Sequence, residues 1–323
     1  MISEVYNSVG YRESSVGFYN MLKQPVIRMR DYTLNIAGYN IRFESREDGP
    51  ELAPSPRFMQ SIVRAMDYDV LIRVHNGRVI PDEDAERLFV APYVVEVKGY
   101  KVTKNDNFWS VYKQNGDLLI ITNFPDSPGK KATLKLSLAL REWDLYIENA
   151  GRSTDPMEYP LDGLILYYLT AINADIMMHA SGVSYNGRGY LFSGISGKGK
   201  TTMSLLWDNI GAQVIHDDRL IIRNTGGIYR MHNTPVYRND VPRSAPIDRI
   251  FLISHGEDNK MVQIREASAV SMVVANCIQH NYSPDMIARF LGSVSMMCSK
   301  VPVSTLSFRP DRSVIEYILR NDQ

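Results

Sequence analysis

Gly194-Ile195-Ser196-Gly197-Lys198-Gly199-Lys200-Thr201 fits the pattern G-x-x-x-x-G-K-[ST]. Each fixed position answers a property of a triphosphate. Glycines let the backbone curl so that successive N–H groups point at phosphate oxygens, forming an anion nest at the start of the next helix. Lys200 brings a positive charge to the β and γ phosphates, and the hydroxyl of Thr201 is placed to ligate the magnesium that bridges them. The expected nucleotide-binding residues are therefore Gly194, Ser196, Gly197, Lys198, Gly199, Lys200, Thr201 and Thr202. ATP is the expected ligand and Mg2+ the expected metal, with Mn2+ as an alternative. By accident such a pattern turns up in about one chain in a hundred of this length. The context narrows that figure, because an apolar strand at 190–192 precedes the loop and an amphipathic helix carrying Met203, Leu205, Leu206 and Trp207 follows it.

Asp217 and Asp218 end an apolar strand, about one helix beyond the loop. A carboxylate at the carboxyl end of a strand beside a phosphate loop can hold magnesium, directly or through water. Two adjacent carboxylates can divide the work, one at the metal and one accepting the proton of an attacking hydroxyl. A solvated acidic turn is the plainer alternative. His179 begins the hairpin strand that leads into the loop; a lone histidine on an apolar strand is most often a hydrogen-bonded core residue. His216 reads as a residue that orients the acidic pair, and His75, His255 and His280 as surface or core filler. Arg219, Arg238 and Arg243, the last two in and after the run His232-Asn233-Thr234-Pro235-Val236-Tyr237-Arg238, are candidates for neutralising phosphate charge near the acceptor. Surface salt bridges explain them equally well.

Around the loop, residues 161–173 read as a helix and 177–185 with 189–193 as a hairpin turned at Asn186-Gly187. A helix over 200–209 stopped by Gly211 and a strand at 213–216 follow. Further strands are expected at 220–223, 228–232, 249–254 and 303–308, helices at 266–280 and 284–298, and a short terminal helix. Strands and helices mix, as in an α/β domain. Before the Ser, Asp and Pro-rich segment 152–160, the pattern is strand-like: 32–44, 70–74, 93–97, 109–112, 118–122 and 132–147. Asn76-Gly77 and Asn115-Gly116 are hairpin candidates, and one helix, 55–66, interrupts the strands. The expected division is a mainly antiparallel β lobe over 1–155 and a phosphate-loop kinase domain over 156–323.

Thirty-six basic residues balance thirty-six acidic ones across 323 residues, so overall charge drives the chain towards neither nucleic acid nor an anionic membrane. The longest apolar stretch, 164–178, is interrupted by Thr170, Asn173 and Asp175 and is too short to span a bilayer. The first twenty residues lack the basic start and apolar run of a secretory signal, which makes the cytoplasm the expected location. Cys277 and Cys298, both in expected helices, read as reduced core thiols.

His179, the loop and Asp217-Asp218 in that order resemble the HPr kinase/phosphorylase family and its relatives, which share a nucleotide-binding core with phosphoenolpyruvate carboxykinase. The similarity covers about 161–308. It implies a carboxykinase-type and HPr-kinase-type α/β core preceded by the mainly β lobe, an active site formed by those residues, and Asp217 as base towards a serine hydroxyl. The stretch Met178-His179-Ala180-Ser181 with the loop also resembles the carboxykinase, which implies metal binding by His179 and Asp218. In divergent relatives, some of which act on peptides, a Gly-Thr-Pro-Trp loop corresponds to Asn233-Thr234-Pro235-Val236. The Glu-containing, Arg-Gly signature of true HPr kinases is missing, so HPr is not the expected acceptor and phosphorolysis is not implied. The substrate-binding arginine and Gly-rich segments of the carboxykinase are also missing.

The expected function is transfer of the γ-phosphoryl group of Mg-ATP to a hydroxyl of a protein, peptide or small molecule. Asp217, His179 and Lys200 form the catalytic set, and Thr201, Asp218 and His179 the metal set. A carboxykinase-like lyase and a non-catalytic ATP sensor are the alternatives. The acceptor is not legible in the sequence, and an oligomer is neither required nor excluded.

Overall fold

The computed structural model describes residues 28–97, 100–148, 150–195, 197–279 and 283–322. Ser196, His280 and the first twenty residues, on which expectations were placed above, lie outside them. The protein is mixed α/β with large sheets and divides into two compact units, Met1–Ile165 and Leu166–Gln323.

The first unit contains β1 (Asp31–Ile36), β2 (Tyr39–Ser45), β3 (Glu51–Leu52), β4 (Ile62–Val63), β5 (Val70–Asn76), β6 (Glu86–Val97), β7 (Tyr100–Gln114), β8 (Asp117–Asn123), β9 (Lys131–Leu136), β10 (Glu142–Glu148) and β11 (Ser153–Thr154). Nine of them form one sheet in the order β4-β1-β2-β5-β10-β9-β8-β7-β6, and β3 pairs with β11. Neighbours in the nine-stranded sheet are antiparallel except where β5 lies parallel to β2 and β10, and β3 and β11 are parallel. Period-two alternation explains which face is covered: Tyr39, Ile41 and Phe43 of β2 and Trp143, Leu145 and Ile147 of β10 are buried, while the residues between them are not.

Four local expectations are corrected here. Residues 32–44 make two strands, because Ala37 and Gly38 turn with φ of 54° and 80°. Residues 132–147 likewise split into β9 and β10. The helix expected at 55–66 is a 3-10 turn, Pro56–Ser61, with Pro56 in its first turn; β-branched Ile62 and Val63 then pair with Leu34 and Thr33 as β4. Asn76-Gly77 closes no hairpin, because β5 is occupied on both edges by parallel partners, whereas Asn115-Gly116 joins β7 to β8 with φ of 52° and 86°.

Helix α1 (Leu161–Ile172) carries the chain onward and is buried from Leu161 to Thr170, in keeping with its nearly unbroken apolar sequence. The second unit then contains β12 (Ile176–Tyr185), β13 (Arg188–Ser193), α2 (Lys200–Asp208), β14 (Gln213–His216), β15 (Arg219–Thr225), β16 (Ile228–Asn233), β17 (Ser244–Pro246), β18 (Arg249–His255), β19 (Lys260–Ile264), α3 (Glu266–Val274), α4 (Pro284–Lys300), β20 (Val303–Phe308) and α5 (Ser313–Asn321). Its sheet runs β17-β16-β15-β12-β13-β18-β20-β19, with β14 added beside β12. β13, β18 and β20 are parallel.

Both faces of this sheet are covered, so its central strands are apolar at successive positions rather than alternate ones. Leu191, Ile250 and Leu252 pack with Ala269 and Val273 of α3 and Val294 and Met297 of α4. Tyr190, Phe192, Phe251 and Ile253 pack with Met203 and Trp207 of α2 and Val314, Ile315 and Ile318 of α5. Each buried phenylalanine here contributes about 1.5–3 kcal/mol. The helix expected over 266–280 stops at Val274, and Cys277 lies beyond it in a bridge to Met178. No helix among the described residues is long and apolar enough to cross a membrane.

Candidate functional site

The glycine-rich loop follows the carboxyl end of β13, and β18 and β20 run on beside it to end together at His255 and Phe308, the edge at which open α/β sheets place ligands. β13 ends at Ser193 and the loop follows. Gly197 and Gly199 have φ of 79° and 93°, the left-handed region that a side chain disfavours. Gly199 is doubly required: a Cβ there would lie 2.8 Å from Cζ of Phe308 and 3.0 Å from Cε1 of His255. These two rings end β20 and β18 and pack on each other with centroids 5.5 Å apart. His255 Nε2 also meets the Gly197 carbonyl at 3.1 Å. The second parallel strand and the third thus brace the loop from behind.

Lys200 Nζ donates to the carbonyl of Gly194 at 2.6 Å and lies 3.4 Å from that of Ile195, so its ammonium sits within the curl of the loop. Burial lowers its pKa, and the charge of Asp218 opposes the shift. A loop whose backbone admits no side chain at Gly199, with an ammonium inside its curl, fits a phosphate group. Thr201, exposed in the first turn of α2, and the half-buried Thr202 follow directly.

The acidic pair is held by His216, which is buried at the end of β14. Its Nδ1 accepts the backbone N–H groups of Asp217 and Asp218, each at 2.9 Å, so its proton is on Nε2, which donates to the carbonyl of Thr234 at 2.9 Å. Burial, first of all, pushes its pKa down to about 4, and the ring is neutral at pH 7. The sequence reading of His216 as the residue that orients the pair matches this geometry. Asp217 Oδ1 accepts the hydroxyl of Tyr237 at 3.1 Å. Burial and the Asp217 charge push the Tyr237 phenol up to about 12, so it remains a donor throughout the neutral range.

His179 and Asp218 are brought together because β12 lies between β13 and β15, with Ala180 opposite Ser193 and His179 opposite Arg219. His179 Nδ1 is 3.2 Å from the Asp218 carbonyl and 3.5 Å from its Oδ1. Both are acceptors, so Nδ1 carries the proton and Nε2 is left with a lone pair. Burial is the main cause that lowers the His179 pKa to about 4; Lys200 and Arg219 lower it further, against the hydrogen bond to Asp218. A neutral imidazole that donates one nitrogen to an acidic residue is the arrangement in which the other ligates a metal. Among the described residues no group of three or more His, Cys, Asp or Glu side chains gathers in metal-holding geometry. Magnesium in this place would draw on Thr201 and Asp218 together with phosphate and water oxygens, its common habit.

The arginines separate. Arg219 is buried beside the pair, with Nε 3.8 Å from Asp218 Oδ2. Arg243 is committed to structure: it donates to the Ile215 carbonyl and to Asp240 Oδ1, both at 2.9 Å. Arg238 is exposed on the turn between them. Sequence reasoning singled out the arginines of this segment and not Tyr237, read His255 as filler, and gave Phe308 no role beyond the end of a strand. Their positions at the ends of β18 and β20 were the available signal.

No family model matches the chain, and no curated protein matches it either. Among solved structures, the Hpr(Ser) kinase/phosphatase from Coxiella burnetii is similar over 45% of this chain and 95% of its own, with 12% identity and a TM-score of 0.30. A likeness at that level is a distant fold relationship and assigns no activity.

Proposed function

We propose that the second unit is an ATP-dependent kinase that transfers the γ-phosphoryl group of Mg-ATP to a hydroxyl. What carries the reading is the juxtaposition of the braced loop, with Lys200 in its curl, and the acidic pair whose backbone is pinned by His216. Bound ATP supplies the phosphoryl group, and magnesium offsets its charge. The chain's own residues do the rest. Loop amides and Lys200 hold the β and γ phosphates, and Thr201 with Asp218 holds the metal. Asp217 takes the proton of the acceptor hydroxyl at one carboxylate oxygen. His179 keeps Asp218 in place through Nδ1 and offers Nε2 towards the metal. Arg219, and Arg238 on the exposed turn, are placed to meet phosphate or acceptor charge, while Arg243 holds the turn itself. The acceptor is a hydroxyl of a protein, a peptide or a small molecule; neither nucleic acid nor a membrane enters the reading.

Calorimetric titration of Mg-ATP into the protein and its Lys200→Ala variant, with ADP release followed in the same samples, tests this. Binding is expected in the first and its loss in the second. An Asp217→Asn protein that binds Mg-ATP and transfers phosphate at the unaltered rate would remove Asp217 as base.

A further inference from the structure

The carboxylate that would take the proton of the acceptor already has a hydroxyl on it. Tyr237 Oη lies 3.1 Å from Asp217 Oδ1, within the distance at which a general base holds the proton it is to remove. That phenol stands where an acceptor hydroxyl would stand.

The turn that carries it is anchored on both sides to the strand ends bearing the acidic pair. On one side, the Thr234 carbonyl accepts His216 Nε2, and Thr234 Oγ1 donates to the Arg219 carbonyl at 3.1 Å. On the other, Arg243 ties the Ile215 carbonyl to the buried Asp240, whose Oδ2 accepts the backbone N–H of Val236 at 3.1 Å and of Tyr237 at 3.4 Å. The Tyr237 ring lies nearly parallel to the His216 ring, with centroids 6.3 Å apart. Between these anchors the apex, Tyr237 to Asn239, is exposed, and Tyr237 itself is 41% accessible. The base of the turn is therefore fixed, while the phenol at its half-exposed tip is held on Asp217 Oδ1 and against the His216 ring.

We propose that Tyr237 is an internal stand-in for the acceptor hydroxyl: in the acceptor-free protein it occupies Asp217 Oδ1, keeps water off that oxygen, and yields the place to the acceptor. This rests on the reading of Asp217 as the base. A phenol held there guards bound ATP from hydrolysis. With the hydroxyl gone, a water donates to Asp217 Oδ1 instead. The water oxygen forms the new bond to the γ phosphorus, and the bond from phosphorus to the β–γ bridging oxygen breaks. ADP leaves with that electron pair, and the proton passes to Asp217. ATP and water become ADP and inorganic phosphate.

The test is ADP release by the full chain in Mg-ATP with no acceptor present, comparing wild type with Tyr237→Phe, which keeps the ring beside His216 and removes only the hydroxyl. A rise of about ten- to a hundredfold is expected, the factor that corresponds to one hydrogen bond to a charged group. Adding Asp217→Asn to Tyr237→Phe should bring the rate back to the wild-type level or below. Titration of Mg-ATP checks that the variant still binds the nucleotide. If Tyr237→Phe binds Mg-ATP and releases ADP no faster than wild type, with or without measurable wild-type turnover, the stand-in role is overturned. The underlying reading fails separately: Asp217→Asn alone then leaves phosphate transfer unchanged, or Lys200→Ala leaves Mg-ATP binding unchanged.

Discussion

The large sheet of the first unit and the histidine cluster of the second handle their polar side chains differently. The large sheet of the first sets its charges on solvated positions in pairs: Arg42 with Asp31 and Glu44, Arg73 with Glu142, and Lys135 with Asp117. Such pairs are individually worth little. The second unit buries polar groups at strand ends, and three of its histidines, His179, His216 and His232, are driven to about 4 chiefly by burial. Burying ionisable groups costs stability unless backbone partners hold the neutral form. A fold that accepts that cost at His179 and His216, both on the acidic pair beside a phosphate-type loop, marks that cluster as a candidate for function.

The contrast is sharpest between two glycines. Gly199 has φ of 93° and faces Phe308 and His255, whereas Gly116 has φ of 86° and nothing within 4 Å of an added Cβ. Gly199→Ala is expected to cost about 1–3 kcal/mol from backbone strain with the clash on top, and to abolish Mg-ATP binding. Gly116→Ala meets strain alone, about 1–2 kcal/mol, and leaves binding intact. Thermal melting and calorimetry of the two variants check both halves; equal effects would break the comparison.

Acid should separate the units by sign. For His179, His216 and His232 the folded pKa lies below the usual 6.5, so the unfolded chain binds more protons, and their contribution to stability falls as pH drops from about 6.5 towards 4. Asp155 in the first unit runs the other way. Burial, set against hydrogen bonds from the Met157 and Ser55 amides, raises it to about 6, so its contribution is full below 3.8 and is lost as pH rises through 6. Hydrogen exchange corrected for its intrinsic pH dependence is expected to show β13 amides losing protection between pH 6.5 and 5. Asp155→Asn should remove the opposing trend from strands β3 and β11.

The smallest effect belongs to the paired charges of the first sheet. Arg73→Ala is expected to change stability by less than about 1 kcal/mol, because the pair with Glu142 is half-exposed on both sides. A larger loss in a denaturant titration would mean that this sheet also depends on its polar face.

Much of the second unit was legible because its signals are local. The loop pattern, the Asn186-Gly187 turn, α2 and its stop at Gly211 each follow from a few consecutive residues. The first unit was less so. Ala37-Gly38 turns without the usual Asn-Gly signal, and the parallel partners of β5 come from segments far away in the chain. Residues 55–66 make no helix because Pro56–Ser61 forms a 3-10 turn and Ile62 and Val63 pair with β1, a partner more than twenty residues earlier in the chain.

The candidate site divides in the same manner. A histidine, a phosphate-type loop and an acidic pair, in that order, can be read from the residues alone, since a backbone that needs glycine at set positions writes its requirement into adjacent residues. The hold of His216 on the pair is equally local, one and two residues along the chain, whereas the bracing of the loop by His255 and Phe308 and the reach of Tyr237 to Asp217 come from the tertiary fold. These contacts join residues tens of positions apart. They exist because β18 and β20 run parallel to β13 and end beside the loop that follows it, and because β15 and β16 return the chain to the acidic pair. Strand order is settled by the packing of both faces of the sheet at once, and no short window of sequence contains it.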